Sequence, residues 1–192
     1  MTVKLKQKIS ELQKDFTENP EKAVLNYESF SILNEGLQSH AQLRNHKLVV
    51  DEPTSIGGKD EGPSPVELVL AALGSCQEIT YKAYATALDI NLESVSVKLN
   101  AILDLKGFLA LDKNTRPGFQ NIDGTVDIKS SASKSEIDKL IQVVNQHCPV
   151  LDILTKGVPV KLSQTLATNV YDSDATKHSA NVKGTEQTTR VA

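Results

Sequence analysis

Two thiols are the main chemistry that this sequence offers. Cys76 lies in GPSPVELVLAALGSCQEITYKAYATAL, and Cys148 follows 72 residues later in NQHCPVLDIL. A cysteine that reduces a peroxide must ionise and must be reachable, because the thiolate is the nucleophile. Its sulfenic acid product then needs a partner, commonly a second cysteine that condenses with it. Separation along the chain is no obstacle if the two segments pack side by side. Two buried, inert cysteines acting as small hydrophobes would leave the same sequence pattern, so both readings stand at this point.

The two positions differ. Cys148 directly precedes Pro149, where a helix N-cap would fall, so free backbone N–H groups and the next helix's dipole could stabilise its thiolate. Cys76 sits about 12 residues into its helix, beyond the terminal turn where the macrodipole acts. It needs a cationic side chain to lower its pKa. Glu78 could hydrogen-bond near Cys76, although its charge would raise the thiol pKa. His147, at a helix end, is placed to meet the last carbonyls. Cys76, Cys148 and His147 supply too few ligands at recognisable spacing for a metal site, and no cofactor motif appears.

The elements that must position these thiols can be read from the pattern. Ser64 is an N-cap, Pro65 a first-turn proline and Glu67 the third residue after the cap, which opens a helix. From Val66 to Leu73 every residue except Glu67 is apolar, so this helix should be buried on several sides. The apolar run is too short, and followed too soon by Gln77, Glu78 and Lys82, to span a membrane. Tyr81 and Tyr84, further along the helix, should line the core or a pocket. Val3, Leu5, Ile9, Leu12 and Phe16 give an amphipathic N-terminal helix ending near Asn19–Pro20, with a short helix over 20–25. Residues 27–51 alternate in the manner of a β-meander, broken at Asn34–Gly36 and Asn45–His46. Strands are expected at 95–101 and 122–129, with a turn at 115–118. Ser133 and Glu136 open a second long helix with the stripe Ile137, Leu140, Ile141 and Val144, ending before Cys148. A short helix starts at Pro149, and a last strand spans 158–162.

The order of strands, long helix, strands, long helix and strand is α+β. A chain of 192 residues suits one domain with extensions: a helical extension over 1–26, a domain over 27–167, and a polar, mobile tail over 168–192. A net charge of -3 argues against a nucleic-acid partner. The N-terminus MTVKLKQKIS lacks the continuous apolar region of a secretory signal. Two cysteines in such a chain point to a cytoplasmic protein rather than a secreted disulfide scaffold.

Around its cysteines the chain resembles the OsmC/Ohr family of thiol-dependent peroxidases, in the OsmC-like branch. The matching motifs are SPVELVLAALGSC and CPVLDIL, and the likeness extends over about residues 37–166. It implies an OsmC-like fold, with two central helices packed against β-sheets in an intertwined homodimer whose active sites lie at the subunit interface. It further implies that Cys76 is the peroxidatic thiol and Cys148 the resolving thiol, with an organic hydroperoxide as substrate and a thiol as reductant. Family peroxidases carry a glutamate ten residues before the first cysteine, which orients a catalytic arginine. Among Arg44, Arg116 and Arg190, the resemblance points first to Arg44, beside a strand that could cross the dimer, and second to Arg116 in TRPGF. The glutamate position here is Val66. Glu67 comes one residue later, a rotation of about 100° on a helix, so it cannot simply substitute. The competing expectation is a non-catalytic dimeric module that binds an apolar ligand or a protein partner.

Overall fold

The computed structural model describes residues 2–166 and 187–190. The chain divides into two compact units, residues 1–152 and 153–192. The first opens with α1 (Thr2–Glu18), whose Leu5 and Ile9 are half-buried, and a 3-10 turn at Pro20–Ala23. Three antiparallel strands follow: β1 (Phe30–Leu33), β2 (Ser39–Leu43) and β3 (His46–Val50). The meander expected over 27–51 is therefore present.

A loop then delivers the chain to α2 (Pro65–Ala87). Asp51 organises that loop from a position only 1% exposed, accepting hydrogen bonds from the backbone N–H groups of Glu52, Lys59 and Glu61 at 2.8, 3.0 and 3.3 Å. Gly58 permits the closure, since a Cβ there would lie 1.7 Å from the carbonyl oxygen of Glu52. The expected capping box is formed. The Ser64 side chain accepts from the N–H of Glu67, and the Glu67 carboxylate accepts from the Ser64 N–H at 2.7 Å.

α2 packs against β4 (Leu92–Leu103), α4 (Lys134–His147) and α1. Strand β4 pairs with β5 (Phe119–Ser130) in a long antiparallel ribbon. Between them stands a short helix, α3 (Leu105–Phe108), which the pattern does not announce: Asp104 caps it in a segment too brief for periodicity. Val95, Val97, Leu99 and Ala101 are half-buried while Ser96, Lys98 and Asn100 are exposed, as alternation predicts. The core consists of Tyr81, Ala85, Ile90, Leu92, Leu140 and Val144. Within one chain α2 is left open on part of its surface: Ala71, Ala72 and Ser75 are exposed and Ile79 is 69% exposed. One helix pair and a two-stranded ribbon offer too little surface to enclose it.

α5 (Pro149–Lys156) begins one residue after α4 ends. In the second unit, β6 (Lys161–Gln164) pairs antiparallel with β7 (Gln187–Arg190). This strand lies later than the expected 158–162 because its extent is set by the partner strand. The tail expected over 168–192 otherwise lies outside the described residues. Among the described residues, no helix is long and apolar enough to cross a membrane.

Candidate active site

The two cysteines, remote in sequence, meet where α2 passes the end of α4. The Cys148 thiol donates to Cys76 Sγ at 3.3 Å, and both are free thiols. Cys76 is half-buried and Cys148 is only 1% exposed. α4 is anchored by Leu140 and Val144, both at 0% exposure, and this fixes the height at which its end meets α2. Cys148 belongs to two helices at once. Its N–H bonds the Val144 carbonyl at 2.9 Å, closing α4, and its carbonyl accepts from the Asp152 N–H at 3.0 Å, opening α5.

Burial pushes the Cys148 thiol pKa up, and the neighbouring Cys76 sulfur adds to the rise. Hydrogen bonds from the backbone N–H groups of Leu151 and Val150 oppose it without reversing it. The N-cap position foreseen for Cys148 is real, but the helix terminus does not overcome desolvation. Cys148 keeps its proton at neutral pH and points it at Cys76.

The side chains around the pair are otherwise engaged. The Glu78 carboxylate accepts from the Val97 N–H of β4 at 3.3 Å, so it ties α2 to the ribbon. His147 Nδ1 bonds the Val143 carbonyl at 2.8 Å, and its ring lies 5.4 Å from that of Tyr84. Tyr81 is buried in the core, and desolvation raises its pKa. Glu67 is held by the capping box, and the Ser64 N–H and hydroxyl keep its carboxyl below the usual range. Val66, where an orienting glutamate would stand, is half-buried.

Arg44 occupies the turn between β2 and β3 with φ at 53°. It lines a groove with Leu25, Tyr27 and Phe30. Arg116 lies in the turn before β5, its guanidinium beside Gly118. Among the described residues, neither guanidinium bonds a cysteine within the chain, nor do three His, Cys, Asp or Glu side chains gather as a metal site. One polar residue escaped sequence reasoning. Gln77 is 5% exposed, and its Oε1 has no hydrogen-bond partner among the described residues. Its only signal was a glutamine set beside Cys76 in a largely apolar helix.

The paired thiols and the α+β arrangement coincide with a known family. The profile of the OsmC-like proteins matches residues 58–163, more than half of the chain. The chain belongs to the OsmC-like family. Its fold is similar to that of an OsmC-like protein from Mycoplasma pneumoniae, with a TM-score of 0.59, 22% identity, and coverage of 70% of this chain and 89% of that one. It is also similar to an organic hydroperoxide resistance protein OsmC from Legionella pneumophila (TM-score 0.53, 20% identity, 70% and 94% covered). A third similar structure is an organic hydroperoxide resistance protein from Elizabethkingia anophelis (TM-score 0.53, 17% identity, 69% and 89% covered). At these identities the likeness is one of fold. No curated protein matches the chain.

Proposed function

We propose that this chain is a thiol-dependent peroxidase that reduces organic hydroperoxides through Cys76 and Cys148. The observation that carries the reading is the 3.3 Å approach of two free thiols, one half-exposed and one buried. The Cys76 thiolate attacks the hydroperoxide, the O–O bond breaks, and an alcohol leaves with a proton, giving the sulfenic acid. Cys148, after losing its proton, attacks that sulfur and water departs as the Cys76–Cys148 bond forms. Two equivalents of a thiol reductant restore the pair. The free thiols suit a reducing, cytoplasmic setting.

Ala72 and Ile79 lie four residues before and three residues after Cys76, hence on its side of α2, and both are exposed. They supply an apolar approach for an alkyl tail, which favours an organic hydroperoxide over hydrogen peroxide. The functional assembly is a homodimer in which Arg44 of a second copy serves Cys76, since among the described residues neither Arg44 nor Arg116 bonds it within one chain. The second reading, a non-catalytic dimeric module, is favoured by Val66 and by the engagement of Glu67 in the capping box. Cumene hydroperoxide consumption by wild type, Cys76→Ser and Arg44→Ala separates the two. Wild type should consume it faster than hydrogen peroxide, Arg44→Ala should be slower, and Cys76→Ser inactive. A Cys76→Ser protein as fast as wild type would rule out the mechanism.

A further inference from the structure

Two apolar features of the first unit cover nothing within their own chain. The first is a prong. Between β4 and β5 the chain turns through α3, and Ile102, Phe108, Leu109 and Leu111 all stand exposed there, Phe108 by 72%. The prong is stiff. The Asp104 side chain accepts from the Lys106 N–H at 3.0 Å, and Asp112 accepts from the Asn114 N–H at 2.9 Å and the Thr115 hydroxyl at 2.7 Å. Gly107 lies hard against the returning chain, since a Cβ there would be 2.4 Å from the Arg116 carbonyl oxygen. A capped turn that holds its largest side chains in solvent has its contact surface organised before any partner arrives. The second feature is a groove of about 1010 Å³, whose lining includes Leu25, Tyr27, Phe30, Leu43 and Arg44. Tyr27 and Phe30 are 86% and 66% exposed, and β1 is exposed along its whole length. α3 makes no substantial packing on β1, β2 or β3 of its own chain.

We propose that α3 of one copy seats Phe108 and Leu111 in the Tyr27–Phe30 groove of a second copy, while the reverse contact closes the pair. The inference rests on the homodimer of the reading above and names the surfaces that make it. A convex prong meets a concave groove, and a two-fold axis makes the contact twice, leaving neither feature free. The area is sufficient. An aromatic side chain buries about 150–250 Å², so Phe108, Tyr27 and Phe30 at their present exposures, counted in both copies, offer roughly 700–1,100 Å². Leu25, Leu43, Leu109 and Leu111 carry the total past the roughly 1,000 Å² that a specific interface must clear. Arg44 lines the same groove, so the seated prong also shields the guanidinium that the proposed function assigns to Cys76.

Cross-linking between distinguishable copies tests the contact. In a full-length Cys76→Ser/Cys148→Ser chain, tagged Leu109→Cys and untagged Leu25→Cys proteins are co-expressed and treated with a short bis-maleimide. These positions flank the anchors and leave Phe108, Leu111, Tyr27 and Phe30 in place. A tagged–untagged covalent dimer should form, well above the cross-link that either variant gives alone. Sedimentation supplies a second readout. In the otherwise wild-type chain, Phe108→Asp should raise the dimer dissociation constant about 30-fold or more, the loss expected for a buried aromatic anchor. Phe108 is exposed within one chain, so the variant should keep the circular dichroism of the wild type. A wild-type dimer that gives no mixed cross-link would overturn the proposal, as would a Phe108→Asp dimer as tight as wild type. So would a dimer that binds phosphatidylglycerol vesicles through Phe108, which would hand the prong to a lipid surface. Each of these leaves peroxide turnover by Cys76 untouched, whereas a wild-type monomer would overturn the homodimer as well.

Discussion

A thiol with almost no exposure holds its proton until the solution is alkaline, and in the proposed mechanism that makes Cys148 the slow partner of the pair. Its pKa is raised by burial and by the adjacent Cys76 sulfur, so the thiolate fraction at pH 7 is small. Attack on a Cys76 sulfenic acid needs that thiolate. Bridge closure should therefore accelerate as pH rises from 7 towards 9. The check is the pH dependence of sulfenic-acid decay after a single equivalent of cumene hydroperoxide. A flat profile over that range would mean that Cys148 is not the attacking group. Asp51 shows the opposite balance. Burial alone would raise its pKa, yet the N–H groups of Glu61, Glu52 and Lys59 bring it below the ordinary aspartate value. Its stabilising effect is thus full above the unfolded aspartate pKa of about 3.9 and is lost as pH falls through the lower folded value. Asp51→Asn should lower the melting temperature at neutral pH and flatten the acid limb of the stability profile. Equal melting temperatures at pH 7 would contradict this reading.

At the scale of elements, α4 sets the height and direction of Cys148. Leu140 and Val144 carry that duty from the core, and the capping box of Ser133 and Glu136 pins the other end. Leu140→Ala should cost about 2–5 kcal/mol, the range for deleting a fully buried leucine side chain. It should also slow bridge closure, because a helix that settles into the cavity shifts its terminus. Denaturant unfolding measures the first effect and loss of free thiols under diamide the second. A large stability loss with unaltered closure would show that the end of α4 is placed by α5 or by Cys76 rather than by the core. β4 and β5 position α2 from the other face through Glu78, whose engagement with the Val97 N–H removes it from the thiol chemistry.

At the scale of the molecule, the described surface of one chain carries a large apolar excess. Tyr27 is 86% exposed, Phe30 66%, Leu33 65%, Ile79 69% and Phe108 72%. β4 and β5 form a two-stranded ribbon, and long ribbons with open edges are marginal alone and prone to pairing with another chain. Both features are met if a second copy covers them, with an interface in the obligate class of roughly 2,000 Å² or more. The protein should sediment as a dimer down to micromolar concentration, and Ile79→Asp should weaken that dimer. A stable wild-type monomer at that concentration would overturn the homodimer, and with it the service of Cys76 by Arg44 of the second copy.

The helices were legible because their signals are local. Ser64, Pro65 and Glu67 specify the start of α2, Ser133 and Glu136 that of α4, and Pro149 the break between α4 and α5. The half-buried face of β4 followed from alternation, and the family was legible in the motifs around Cys76 and Cys148. What remained open were quantities that depend on neighbours distant in sequence. Only packing of α2 on α4 could bring the sulfurs to 3.3 Å, since spacing of 72 residues says nothing of distance. Only burial could decide whether Cys148 is a thiolate, because the helix terminus and desolvation act on it with opposite sign. Glu78 likewise had two destinations, and the backbone of β4 claimed it over the thiol. The open face of α2 was hidden for the same reason: an apolar run announces that it will be covered, and the tertiary structure alone decides by which surface.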